Sequence, residues 1–224
     1  MKRNIFEFKY ALFDNDGTLI DNMGASAKAF GQICKKVGVP VAIGKELHLR
    51  TAGTPLVEQV KQILQKFQKS NDLLENLSNS FFEIRSSLSE WQNATAFPGT
   101  KDVLKKLSYE GIEIFVTSGS RTEETIESLK RNKLYGYLSL VLGGDEIPKG
   151  TGHIKKFAEF AGKSFEDFCK SSIIIGDGTN DMRIAKKLNI YSVGITNTVS
   201  AERLKRAGAN EVIEVISELL SVNY

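Results

Sequence analysis

Four short polar clusters stand out by what their residue types could do together. Asp14-Asn15-Asp16-Gly17-Thr18 closes the apolar run "KYALF", and Thr117-Ser118-Gly119 closes "GIEIFV". Lys149 lies in "GGDEIPKGTG", and Asp177 through Asp181 close "SSIIIG". Singly, each has an ordinary explanation: Asp, Asn and Gly favour tight turns, Ser caps helices, and a lone lysine is normally solvated. Brought together, Asp14, Asp16, Asp177 and Asp181 would concentrate enough negative charge to raise some of their pKa values. A divalent cation with oxygen ligands relieves that charge, and magnesium suits a site of carboxylates, waters and a phosphate oxygen. Lys149, the Ser118 hydroxyl and backbone N–H groups such as that of Gly119 would donate to phosphate oxygens. The loop "GDGTND" lacks the length and terminal Glu of an EF-hand calcium loop.

Nucleophilic catalysis of the Ser-His-Asp kind is poorly served, since the chain has only two histidines. His48 reads as structural, and His153 as a capping or surface residue at the start of a helix. That leaves a carboxylate as nucleophile, which forms an acyl phosphate. A second carboxylate two residues on can act as acid to the leaving oxygen, then as base for water.

These clusters act together only if the elements before them deliver them to one place. Apolar runs at 9–13, 111–116, 138–142, 171–176 and 190–195 read as strands, with "NEVIEV" a weaker one. Helical spacing recurs at 100–109, 122–133, 153–162, 181–188 and 200–207, and a short helix ends the chain. Alternation of this kind predicts an α/β fold: a Rossmann-like, three-layer core with a central parallel sheet and helices on both faces. Right-handed crossovers put the loops after the strands on one edge, where ligands bind. Residues 22–95 differ. Helices are expected at 24–37, 56–67 and 72–91, and "GVPVAIGKELHLRTAGTP" reads as a Gly- and Pro-punctuated connection. The organisation expected is a catalytic core from 1–21 and 96–224, interrupted by a helical domain at 22–95.

With 224 residues the chain can bury a sizeable core. Its net charge of +3 argues for no nucleic-acid partner, though it suits an anionic substrate. Cys34 and Cys169 form no CxxC pair and no disulfide pattern, so both are expected as free thiols in a reducing compartment. The N-terminal stretch "MKRNIFEFKYALFDND" reads as no signal peptide, and no apolar run is long enough for a membrane span. The expectation is a cytoplasmic protein with no membrane partner, monomeric or homodimeric.

In order and spacing, the four clusters resemble the motifs of the haloacid dehalogenase superfamily of phosphohydrolases. "FDNDGTL" matches the DxDGT motif, "IFVTSGS" the Ser/Thr motif, Lys149 the lysine motif and "IIIGDGTND" the GDxxxD motif. The resemblance implies that Asp14 attacks phosphorus, Asp16 serves as acid and base, and Lys149 balances charge. It implies Mg2+ held by Asp14, Asp177 and the backbone carbonyl of Asp16, with Asp181 acting through water or orienting Lys149. The motif hydroxyl is Thr117 or Ser118, and the family spacing favours Ser118. The second Asp distinguishes the chain from the dehalogenase branch. "KGTGHI" departs from the common KPxPD form, which puts the subfamily in doubt.

The insert resembles the family's helical cap, which would exclude water and select a small substrate. Its loop "LRTAGTP" is the place expected for substrate contact, with Arg50 set to meet a second anionic group. The function implied is hydrolysis of a small-metabolite phosphomonoester, of phosphoglycolate phosphatase type. A phosphomutase of the β-phosphoglucomutase type would share the core, and a non-catalytic binding relative would have lost Asp14, Asp16 or Lys149.

Overall fold

A computed structural model describes residues 3–221. Its centre is a six-stranded, all-parallel sheet of order β3-β2-β1-β4-β5-β6. The strands are β1 (Tyr10–Asp14), β2 (Glu113–Thr117), β3 (Leu140–Leu142), β4 (Ser172–Gly176), β5 (Tyr191–Ile195) and β6 (Glu211–Ile213). Every residue of β1 and β4 is buried. Continuous apolar strands are what a parallel sheet covered on both faces requires.

The alternation of side chains divides these strands between two cores. Ala11, Phe13, Ile114 and Val116 face helices α6 (Thr100–Tyr109) and α7 (Thr122–Arg131), which contribute Leu104 and Leu129. Tyr10, Leu12 and Phe115 face α8 (Thr151–Phe160) and α9 (Phe165–Lys170), which contribute Phe157 and Phe168. Helices α10 (Thr179–Leu188) and α11 (Ala201–Ala207) follow β4 and β5. The expected fold class holds, with α9 added to the elements read from the sequence.

Between β1 and α6 the described elements are all helical: α1 (Met23–Lys36), α2 (Val41–Arg50), α3 (Leu56–Lys66), α4 (Leu74–Ser87) and α5 (Ser89–Gln92), with one short 3-10 turn. They bury an apolar cluster of their own, including Phe30, Ile33, Leu64, Leu77 and Phe81. Helix α2 occupies what the sequence suggested was a connection. Pro40 stands at its N-cap, and Gly44 sits inside it against α1. A Cβ on Gly44 would lie 2.7 Å from Cys34 Sγ, so a residue that weakens the helix alone permits its closest packing. The chain enters and leaves this segment at one point: Asp21 N–H donates to the Thr95 carbonyl at 2.9 Å, and Ile20 bridges Ala96. Cys34 and Cys169 are buried free thiols. No helix among the described residues is long and apolar enough to cross a membrane.

His48 has the structural setting expected of it. Its ring stacks on Phe30 at 5.2 Å, and Nδ1 lies 2.9 Å from Gln59 Oε1. Gln59 Nε2 donates to the Thr54 carbonyl, which orients the amide and makes His48 Nδ1 the donor. Burial pushes the imidazole pKa down to about 4, against the opposing hydrogen bond to Gln59. A depressed histidine pKa means that the unfolded chain takes up the proton first, so stability falls as pH drops from about 6.5 towards 4. Across that window the wild type should lose up to about 3 kcal/mol more stability than His48→Gln. Urea denaturation at stepped pH measures this, and parallel pH profiles for the two proteins would refute it.

Candidate active site

Strands β2, β1 and β4 are neighbours, so the loops that follow them meet. Asp14 is in register with Thr117 at the ends of β1 and β2. Gly17 carries the turn after β1 with φ of +83°, and a Cβ there would fall 2.2 Å from Asp177 Oδ2. Only glycine permits both this backbone and this approach. Thr18 then locks the two loops: its Oγ1 donates to Asp177 Oδ1 and accepts from Asp177 N–H, each at 3.0 Å.

Asp14, Asp177 and Asp181 are buried, and one carboxylate oxygen from each lies within 4.8 Å of those of the other two. Lys149 Nζ lies 2.7 Å from both Asp14 Oδ1 and Asp181 Oδ1. Three carboxylates around one ammonium leave a deficit of two positive charges. The consequence is visible in the acids. Burial raises the Asp14 pKa well above the usual range; Lys149 opposes this, and Asp181 and Asp177 add to it. Asp177 is raised to about 6, again chiefly by burial, with Asp181 contributing. Lys149 is held protonated: the Asp14 and Asp181 carboxylates outweigh the burial that would discharge it.

Asp177 Oδ2 and Asp181 Oδ2 are buried without a hydrogen-bond partner. Buried carboxylate oxygens without partners are costly unless a cation completes them. The all-oxygen donor set and its charge deficit fit Mg2+, with Asp14, Asp177 and Asp181 as the side chains that would hold it.

The Asp16 side chain is not among these three. Its Oδ2 accepts from Ser118 Oγ at 2.7 Å and Ser120 Oγ at 2.8 Å; its Oδ1 accepts from Asn22 and Asn15. Burial would raise its pKa, but the Arg85 charge and the hydrogen bonds from Ser118, Asn22 and Ser120 outweigh it and hold Asp16 low. Any metal role for Asp16 therefore falls to its main chain.

Strand alternation separates Thr117 from Ser118. Thr117 Oγ1 points to the opposite face and meets His153 Nδ1 at 2.7 Å. His153 is fully buried and its Nε2 lies 2.7 Å from the Ile147 carbonyl. This corrects the reading of His153 as a cap or surface residue: it ties β2 to the loop that carries Lys149.

Asp14, Asp16, Gly119 and Lys149 line a cavity of about 60 Å³, closed on its far side by Phe81, Phe82 and other side chains from the helical segment. Arg50 is not part of it. Its side chain is exposed, and its carbonyl accepts from Arg203 at 2.6 Å. The arginine that does reach the cavity is Arg85 on α4, which was not singled out in the sequence. Nothing local distinguishes it from a solvated helix residue.

The profile of the haloacid dehalogenase-like hydrolases matches residues 11–195. A phosphoglycolate phosphatase from Vibrio parahaemolyticus is 24% identical over 220 residues, covering 96% of both chains. A phosphorylated carbohydrates phosphatase from Thermotoga maritima is 23% identical, covering 93% of this chain and 98% of that protein. Among solved structures, a haloacid dehalogenase-like family hydrolase from Streptococcus pneumoniae superposes with a TM-score of 0.76 at 21% identity, over 93% of this chain and 94% of that one. With the profile spanning most of the chain and the fold agreeing throughout, this protein belongs to the haloacid dehalogenase-like hydrolases.

Proposed function

We propose that this protein is a Mg2+-dependent phosphatase that hydrolyses a small-metabolite phosphomonoester through an aspartyl phosphate on Asp14, as a phosphoglycolate phosphatase-like enzyme. The observation that carries this reading is the buried Asp14–Lys149–Asp181 arrangement with orphaned carboxylate oxygens beside it. In this reading residues 22–95 form a cap over a core of 1–21 and 96–224.

Asp14 Oδ1 is engaged by Lys149 and by the Asn15 N–H at 2.8 Å, so attack on phosphorus falls to the other carboxylate oxygen. Asp16, ionised before the ester binds, takes up a proton as the anionic phosphoryl group settles beside it; as the bond to Asp14 forms and the phosphorus–ester oxygen bond breaks, it gives that proton to the departing alkoxide. Asp16, again a carboxylate, takes a proton from water as that water attacks phosphorus and releases Asp14. The Gly119 N–H holds a phosphoryl oxygen, Ser118 Oγ joins it once its hydrogen is released from Asp16, and Lys149 keeps Asp14 oriented between turnovers. Bound Mg2+ supplies the positive charge that offsets the phosphoryl oxygens during transfer. The helical segment closes the cavity against bulk water.

A screen of metabolite phosphates with Mg2+ should yield turnover that chelation abolishes. Asp14→Asn should lower it at least about a thousandfold with the fold intact by circular dichroism; near-wild-type activity in that variant would sink the nucleophile assignment.

Asp16→Asn should lose more activity on alkyl esters than on phenyl esters, whose leaving oxygen needs less protonation. Equal losses would count against its acid role.

The two motif hydroxyls should also separate. Ser118→Ala should cut kcat/KM by about 10- to 100-fold. Thr117→Val should act mainly on stability, costing about 1–3 kcal/mol by leaving buried His153 Nδ1 unpaired. Steady-state kinetics and thermal unfolding of both variants check the contrast, and the reverse pattern would refute it.

A further inference from the structure

A second concavity lies apart from the carboxylates, in a groove of about 530 Å³ between α10 and α11. It shares no lining residue with the cavity at Asp14. Arg183, Lys186 and Lys187 line it from α10, and Arg203 and Arg206 from α11. Among the described residues, Glu202 is the one acid that pairs with any of these side chains, at Arg206. Five cations against one acid leave more positive charge here than the net +3 of the whole chain.

Lys106, Lys156 and Lys170 each pair with a glutamate three or four residues away on their own helices. Helix α10 offers no such partner: it has no acid after Asp181, whose carboxylate is turned inward to Lys149. Arg183, Lys186 and Lys187 stand three and four residues apart as like charges, which weakens the helix unless an anion offsets them.

The other cations are held in position. Gly208 ends α11 with φ of +114°, and a Cβ there would lie 2.8 Å from Lys186 Cδ, so glycine makes room for the lysine stem. Arg203 Nη2 donates to the Arg50 carbonyl, and Arg206 Nη2 to Glu202. Each guanidinium keeps further N–H groups to donate. Side chains already ordered lose little freedom when a ligand binds.

The rest of the lining narrows the ligand. It consists of Thr179 and Ala207. With no aromatic ring, the groove offers a nucleic-acid base no platform. With Ala207 as its one apolar residue, it offers a protein partner no anchor. Its concavity withdraws the cations from a flat bilayer surface. A ligand that is multiply anionic and little else meets what is left. Arginine forks take phosphate oxygens in pairs, and lysines take them as point charges. Cations along two facing walls suit a chain of phosphates better than a single one.

We propose that the groove between α10 and α11 binds a condensed phosphate, a chain of two or more phosphoryl groups, free or as the tail of a nucleotide. The site is separate from the cavity at Asp14, so the proposal does not depend on the phosphatase reading.

Calorimetric titration at about 0.15 M ionic strength in metal-free buffer tests it. Without metal, the Asp14, Asp177 and Asp181 carboxylates repel anions from the other cavity. Tripolyphosphate should bind with a Kd below about 1 mM, at least about 10-fold more tightly than inorganic phosphate. Arg183→Gln with Lys187→Gln, at two exposed positions, should weaken it at least about 10-fold. Lys101→Gln with Lys105→Gln, exposed on α6, removes the same charge elsewhere and should change it by about 2-fold or less. ATP should bind no more tightly than tripolyphosphate. Tighter binding of ATP that the groove pair also weakens would name a nucleotide as the source of the chain and still support the site.

Equal losses in the two variant pairs would mark a general attraction for anions and overturn the proposal. So would a Kd above about 1 mM, or no advantage over inorganic phosphate. Hexaglutamate or an oligouridylate binding as tightly as tripolyphosphate would overturn it too, by assigning the groove to a protein or a nucleic acid.

Discussion

The structure depends on a charge imbalance it cannot resolve with its own side chains. Three buried carboxylates lie within 4.8 Å of one another, and a single ammonium serves two of them. Like charges at this spacing in a buried site repel strongly. What keeps them there is the rigidity of the surroundings. Asp14 ends a fully buried central strand, Asp177 follows another, and the turn between Gly17 and Thr18 is clamped onto the second. Folding energy from the apolar sheet thus holds an arrangement that the local residues alone would abandon, as functional sites often require.

Hydrogen bonding follows the same division. Six side-chain N or O atoms among the described residues are buried without partners, and all but Thr100 Oγ1 belong to the strand-end loops, the first turn of α10, Asn22 or Arg85. Elsewhere the interior is satisfied. Asp16 stands at the boundary between these regimes, close to the unmet acids yet fully supplied with donors. Two aspartates separated by one residue therefore occupy opposite electrostatic environments. For the roles proposed above the order has to be inverted: a bound cation would lower Asp14, and a bound phosphoryl group would raise Asp16.

Much of the core could be read from the sequence, because parallel strands are continuous apolar runs and their loops are marked by Asp and Gly. Asp14, Asp177 and Asp181 were legible because their positions follow from strand ends alone. Ser118 was partly legible: strand alternation puts Thr117 on the Phe115 face, and His153 meets it there. Helix α2 was hidden because Pro40 and Gly44, usual marks of a break, serve here as a helix start and a packing surface. Arg85 could not be found this way. Its place depends on contacts with Ser120 and Glu124, more than 30 residues away in sequence, and on an aromatic shelf formed only after the helices pack. Arg50 drew attention through the polar, Gly-containing stretch "LRTAGTP", but it ends α2, and position in such a stretch says nothing of which way a side chain is carried.

The junction at Asp21 and Thr95 bears on how such a chain can change. The two ends of the helical segment are joined by two backbone hydrogen bonds, Asp21 N–H to the Thr95 carbonyl and Phe97 N–H to the Leu19 carbonyl, on either side of the Ile20–Ala96 bridge. The chain therefore passes between sheet and segment at a single doorway, whose width is independent of the segment's length; the segment's other contacts with the core, such as Arg85 with Ser120 and Glu124, are made by side chains and loops that fold back onto it. Since loop-closure entropy grows only slowly with length, segments of very different size could be exchanged there at little thermodynamic penalty to the sheet. The wall of the cavity can therefore drift or be grafted while Asp14, Lys149, Asp177 and Asp181 stay in place on the other side of the doorway; only Asp16, which leans on Asn22 and Arg85, ties the cluster to what is exchanged.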